Sequence, residues 1–185
     1  ILDGIELENI RIHGYGSRNF GQNLRQCYLR LAERPVRQED LDYIQRLAEQ
    51  IMEKPLDIIK GVPETLEYLS RRHQLILFTK GHPQEQRQKI ERSGLEKYFS
   101  HTLIVKEKDL DTYRKVICGA GLDPGRTWMV GNSPKSDIRP ALEAGLRAVY
   151  VPHPCTWHLE RENLPPAADG RLLVVEQFSD LRQHF

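Results

Sequence analysis

The sequence predicts an α/β fold: a largely parallel sheet with helices on both faces, preceded by an all-helical block. Three observations carry this. From residue 56 onward, short apolar runs alternate with amphipathic stretches of helical length, the pattern of strand–helix repeats. The runs, such as Leu75-Ile-Leu-Phe78, are continuous rather than alternating, as in strands buried on both faces. Residues 1–55 carry their apolar residues at helical spacing, ahead of any strand-like run.

The helical block reads as three helices. Ile1, Leu2, Ile5, Ile10 and Ile12 sit in a polar background until Gly14-Tyr15-Gly16 interrupts them, which marks a kink or a tight link. A second helix spans about 18–33, with Leu24, Cys27, Tyr28 and Leu31 on one face. Arg34-Pro35-Val36 breaks it, and a third follows over about 39–53 with the stripe Leu41, Ile44, Leu47, Ile51. The expected domain division is therefore 1–55 and 56–185. In the second part, a helix starts at Gly61-Val-Pro-Glu64 and a strand follows at Leu75–Phe78. The helix over 83–93 ends at Gly94, a residue suited to a C-terminal cap. Strands at 103–105, 128–130, 148–151 and 172–175 alternate with helices at about 111–120 and from Pro134 to Gly145.

A length of 185 residues suits one domain, or a domain with a small accessory one. Apolar residues at 39% and charged residues at 29% fit a globular protein in water. The net charge of +1 gives no bulk attraction to nucleic acid or to an anionic membrane. No apolar run approaches the length that crosses a bilayer, and the N-terminus does not resemble a signal peptide. Cys27, Cys118 and Cys155 are odd in number and far apart, so a reducing compartment, the cytosol, is expected. Cys118 lies in an amphipathic stretch and is expected in the core.

The chemistry concentrates in Thr127–Ile138. Its apolar start reads as a buried strand, Gly131 ends it, and Asn132, Ser133 and Asp137 form a polar cluster at its carboxyl end. Ser133 is typed to cap the following helix, and Pro134 suits the first helical position. In open α/β sheets, ligands bind beyond the carboxyl ends of the strands. The other strands deliver Thr79-Lys80-Gly81, then Lys106 and Lys108, to the same rim. A hydroxyl and an ammonium suit a phosphate dianion. A carboxylate and an amide oxygen suit a hard cation such as Mg²⁺. Together they suit metal-assisted phosphoryl transfer.

On these residues the chain resembles the haloacid dehalogenase-like (HAD) superfamily, mostly phosphatases. Leu75–Gly81 is similar to its second motif, a strand ending in Thr or Ser; Lys108 in Glu107–Tyr113 to its third; Val130–Asp137 to its fourth. The resemblance implies a Rossmann-like core with a helical cap at 1–55, and a Mg²⁺-dependent phosphatase acting on a small phosphorylated metabolite. Thr79 and Lys108 would be catalytic, Thr79, Lys80 and Gly81 would bind substrate, and Asn132 and Asp137 would hold Mg²⁺. Lys106 is two residues too far from Tyr113 for the family spacing and is expected to be solvated. Two departures stand out. The family's nucleophile lies in an Asp-x-Asp motif after a central first strand; Asp3 is a poor stand-in, and that strand and its aspartates are expected upstream of Ile1. The fourth motif usually has aspartate where this chain has Asn132. Dehalogenation and a non-catalytic binding module are the alternative readings.

Three other features have plainer readings. His153-Pro-Cys155-Thr-Trp-His158 matches no four-ligand zinc spacing and reads as a loop. Gly14–Arg18 reads as a helix hinge, or as a loop that reaches substrate from the cap. Lys80 either contacts substrate or is solvated.

Overall fold

In the computed structural model, which describes residues 1–166 and 170–185, the elements in chain order are α1 (Leu2–His13), α2 (Ser17–Leu31), α3 (Gln38–Glu49), α4 (Val62–Ser70), β1 (Ile76–Lys80), α5 (Pro83–Ser93), β2 (His101–Val105), α6 (Leu110–Gly119), β3 (Trp128–Gly131), α7 (Arg139–Glu143), β4 (Arg147–Tyr150) and β5 (Leu172–Val174). They form two compact units, one of Ile1–Asp57 with Lys80–Gly94, the other of Ile58–Thr79 with Leu95–Phe185.

The first unit contains α1, α2, α3 and α5. The start of α2 has no side-chain cap of its own. The Glu85 carboxylate, from the first turn of α5, fills that role: it accepts from Ser17 N–H at 2.9 and 3.1 Å and from Ser17 Oγ at 2.8 Å. A carboxylate at a helix N-terminus also opposes the positive end of the helix dipole. Gly16 permits this approach, because its φ is +140° and a Cβ there would lie 3.2 Å from Glu85 Oε1. Gly14–Gly16 is thus a pinned link between α1 and α2.

The leucine stripes expected on α2 and α3 are only partly buried. Tyr28, Leu31, Leu47 and Ile51 are all exposed. The buried positions are Gly21 and Asn23 on α2, and Leu41 and Ala48 on α3. The two helices pack where a side chain is missing: a Cβ on Gly21 would lie 2.8 Å from Gln45 Oε1. Asn23 Oδ1 accepts from Asn9 Nδ2 of α1 at 2.7 Å. On α2 small and polar residues, not the apolar stripe, take the buried positions, while on α3 Leu41 of the stripe stays buried.

The second unit holds the strands. β3, β4 and β5 form one parallel sheet, with Met129 opposite Ala148 and Val149 opposite Leu173. Helices cover both of its faces, as expected. On one, Leu69 of α4 packs with Val149, Trp128 and Val130; on the other, Tyr113 of α6 and Ala141 of α7 pack with Met129. β1 and β2 pair in a separate two-stranded sheet, so the described strands make two sheets. Phe78 of β1 joins the second of these cores, and Leu75, just before β1, joins the first. Cys118 is exposed rather than in the core. On α6, Tyr113 is buried and Val116 and Ile117 half-buried, and Cys118 is turned away by one further residue.

Candidate active site

Lys108 is placed by the residue after it. Asp109 caps α6, accepting from Thr112 N–H at 2.8 Å, and this bond holds its carboxyl below the usual carboxylate range. With the helix start fixed, Lys108 turns inward: its side chain is 9% exposed, whereas Lys106 is exposed, as its spacing predicts. Lys108 Nζ donates to Asp137 Oδ1 at 2.8 Å and lies 4.9 Å from the centre of the Phe78 ring on β1.

Asp137 is held from both sides, since its Oδ2 accepts from Ser133 N–H at 3.0 Å. Its carboxylate lies directly over Gly131, where a Cβ would come within 2.2 Å of Oδ2. Ser133 Oγ accepts from Ser136 N–H at 2.9 Å, as a capping residue does, and donates to Glu160 Oε2. The helix expected from Pro134 to Gly145 begins as a wider turn at Pro134–Ile138 and becomes α7 only at Arg139. Pro140 explains the change: α-helical register would need it to donate to Ser136 O, and proline has no N–H. The Tyr113 hydroxyl serves that carbonyl instead, at 3.1 Å, and Asp137 O at 3.2 Å. The phenol also stacks edge-on with Phe78, at 5.2 Å between ring centres.

Tyr113 was no more than a spacing mark in the sequence, yet it is 1% exposed and ties α6 to this loop. Burial, with Asp137 nearby, pushes its phenol well above the ordinary value. The sign follows directly. Once pH exceeds the ordinary tyrosine value of about 10, the unfolded chain releases this proton while the folded chain keeps it, so stability falls with rising pH. Tyr113→Phe should therefore lower stability near neutral pH by about 1 kcal/mol. It should also flatten the alkaline part of the stability–pH curve, read by urea unfolding between pH 8 and 11.

The structure brings Lys108 and Asp137 together, and it ties Asn132 to a different loop. Asn132 Nδ2 donates to Thr156 Oγ1 at 2.7 Å, in the loop after β4. Thr79 lies in β1, one residue beyond Phe78, and not past the strand as its apolar run suggests. Lys80 ends the strand, and its Nζ lies 3.0 Å from the Tyr15 hydroxyl within the first unit. Gly81 is buried, with φ at +146°.

These residues do not by themselves fit a Mg²⁺ site. Mg²⁺ asks for an octahedral oxygen shell with one or two carboxylates. The single carboxylate here is committed to an ammonium and a backbone N–H. Among the described residues, no three His, Cys, Asp or Glu side chains come together to hold an ion. What the arrangement does provide is a buried, rigidly oriented ammonium at the ends of β1 and β3, suited to an anion.

No helix among the described residues is long and apolar enough to cross a membrane. A phosphoserine phosphatase from Thermus thermophilus is 39% identical over 82 residues, which is 42% of this chain and 33% of that protein. A human N-acylneuraminate-9-phosphatase is 32% identical over 98 residues, 50% of this chain and 40% of that one. The matched stretches thus span two-fifths or less of these two relatives. Over 99% of its length the chain superposes on a haloacid dehalogenase-like family hydrolase from Xanthomonas campestris, with a TM-score of 0.87, 30% identity and 73% of that chain covered. A family model described as haloacid dehalogenase-like hydrolase matches residues 14–151, a span that holds Thr79, Lys108 and the whole Gly131–Asp137 loop. With three-quarters of its length matched and its strand-end lysine and aspartate locked together, the chain belongs to the haloacid dehalogenase-like hydrolases.

Proposed function

We propose that this chain forms the cap and most of the core of a phosphatase that acts on a small phosphorylated metabolite. The observation that carries the reading is the buried Lys108–Asp137 pair, in a chain whose curated relatives at 39% and 32% identity are both named as phosphatases. In this reading, an aspartate outside the 185 residues attacks phosphorus, and the P–O bond to the leaving alcohol breaks. A second such aspartate protonates the departing oxygen and later takes the proton of the water that hydrolyses the aspartyl-phosphate. The Thr79 hydroxyl and the Lys108 ammonium hold the phosphoryl oxygens as negative charge develops on them. Lys80 and Gly81 bind the rest of the substrate.

The split sheet supports an outside aspartate. Among the described strands, β1 and β3 each pair on one side only, and Phe78 of β1 and Met129 of β3 join the same core, which suits an additional strand between them. Such a strand would end beside Lys108. Mg²⁺ belongs to this reading for the intact protein only. Its charge would be balanced by carboxylates other than Asp137, and Asn132 Oδ1 is the oxygen this loop would contribute.

The 185-residue chain alone should not hydrolyse p-nitrophenyl phosphate, with or without Mg²⁺, whereas the full-length protein should. Clear turnover by the short chain would place the nucleophile within it. Chloride release from 2-chloropropionate by the full-length protein, without phosphatase turnover, would favour dehalogenation instead. Absence of both would favour a binding module.

A further inference from the structure

The loop after β4 contains His153-Pro-Cys155-Thr-Trp-His158, which the sequence left without a role. In the structure it fastens to the strand-end loop at separate points. Thr156 meets Asn132, Glu160 accepts from Ser133 Oγ, and the Leu159 carbonyl accepts from Lys135 Nζ at 3.2 Å. Thr156 and Glu160 are each 7% exposed, so these bonds form away from water.

The Thr156–Asn132 contact is assigned with the amide NH₂ toward Thr156. Thr156 Oγ1 has one hydrogen, and it donates to the Asn132 backbone carbonyl at 3.4 Å. In that arrangement Oγ1 accepts from the Asn132 side chain at 2.7 Å, with the NH₂ end of the amide facing it. That leaves Oδ1, an acceptor, as the opposite end of the side chain. Aspartate at 132 could not be held in this way, because a carboxylate has no hydrogen to give Thr156.

We infer that Thr156 is a positioning residue for the proposed reaction. It fixes the Asn132 amide with Oδ1 available, so that Asn132 meets an electropositive group and not an anion. The loop after β4 is therefore part of the working site, through Thr156, although it carries no reacting group. The inference rests on the phosphatase reading for its kinetic arm and on geometry alone for its spectroscopic one.

Thr156→Val keeps the shape of the side chain and removes both bonds; Thr156→Ser keeps the hydroxyl. In the full-length protein, Thr156→Val should lower kcat about tenfold, the scale of one hydrogen bond, with KM within about twofold. Thr156→Ser should restore kcat to within about twofold. The second arm follows the Asn132 side-chain NH₂ by ¹⁵N NMR, assigned from the pair of signals lost in Asn132→Asp. In Thr156→Val one of the two protons should shift and its exchange with water should rise about tenfold or more; in Thr156→Ser both should stay near wild type. Unchanged NH₂ signals in Thr156→Val would overturn the proposal, whether or not the protein proves to be a phosphatase. So would a Thr156→Ser variant as impaired as Thr156→Val, because the threonine methyl would then be what matters.

Discussion

Lys108→Ala in the full-length protein should cut kcat by about a hundredfold or more, the scale of losing one preorganised charge donor at an oxyanion. Lys106→Ala should be close to neutral, because that side chain is exposed. In the proposed reaction the lysine would do more than meet substrate. Its removal leaves Asp137, 6% exposed, with Oδ1 unpaired, and breaking a buried pair from one side costs about 3–5 kcal/mol of stability. The two effects separate in the double variant Lys108→Ala/Asp137→Asn. Neutralising the orphaned carboxylate should recover part of the stability, measured by urea unfolding, and none of the turnover. Equal kcat losses for Lys106→Ala and Lys108→Ala would show that the ion pair does not mark the working lysine.

Gly131→Ala should be nearly as damaging, for a reason of space. A Cβ at this end of β3 would meet Asp137 Oδ2 at 2.2 Å, Cγ at 2.3 Å and Cβ at 2.5 Å. Swinging the carboxylate aside cannot relieve this, since the root of the side chain is in the way and its oxygens are tied to Lys108 and Ser133. Either the end of β3 or the whole Gly131–Asp137 loop has to move. Overpacking of this kind costs about 1–3 kcal/mol, and displacing Asp137 loosens Lys108 as well, so kcat should drop about tenfold or more. Gly119→Ala is the control. It lies in α6 with nothing within 4 Å of its added methyl, and alanine there should be neutral or mildly stabilising. The two midpoints in a thermal melt read the contrast; a Gly131→Ala protein that melts and turns over like wild type would remove the steric argument.

How much of this was legible depends on how local its cause is. The apolar runs place all five described strands to within a few residues, because a strand in a sheet with helices on both faces draws apolar residues to both. The helix over Pro83–Ser93 emerges with the expected bounds, since Pro83 and Gly94 both act on their own backbone. Lys108 could be told from Lys106 by the spacing that the family resemblance implies. The partners of these residues were another matter. Asp137 reads as a free ligand until a lysine 29 positions away is seen to occupy it, and Thr156 meets Asn132 across 24 residues. No periodicity records such meetings. The wide turn at Pro134–Ile138 did have a local signal in Pro140, but the phenol that makes the turn tolerable comes from another helix. The α2 and α3 stripes misled because an apolar stripe says which face could be buried, and the missing side chain at Gly21 decided which face was. The split between the sheets has no trace in the strands, for an apolar run does not name its neighbour.

That split has a consequence for handling the chain on its own. An unpaired strand edge is a row of open donors and acceptors, ready to template any extended segment that comes near. Among the described strands, β1 and β3 each have a partner on one side only. Each of these edges is, in these terms, a place where an extended apolar segment could pair. A short peptide of alternating or continuous apolar pattern, added in trans, is the probe that would read whether either edge accepts a strand.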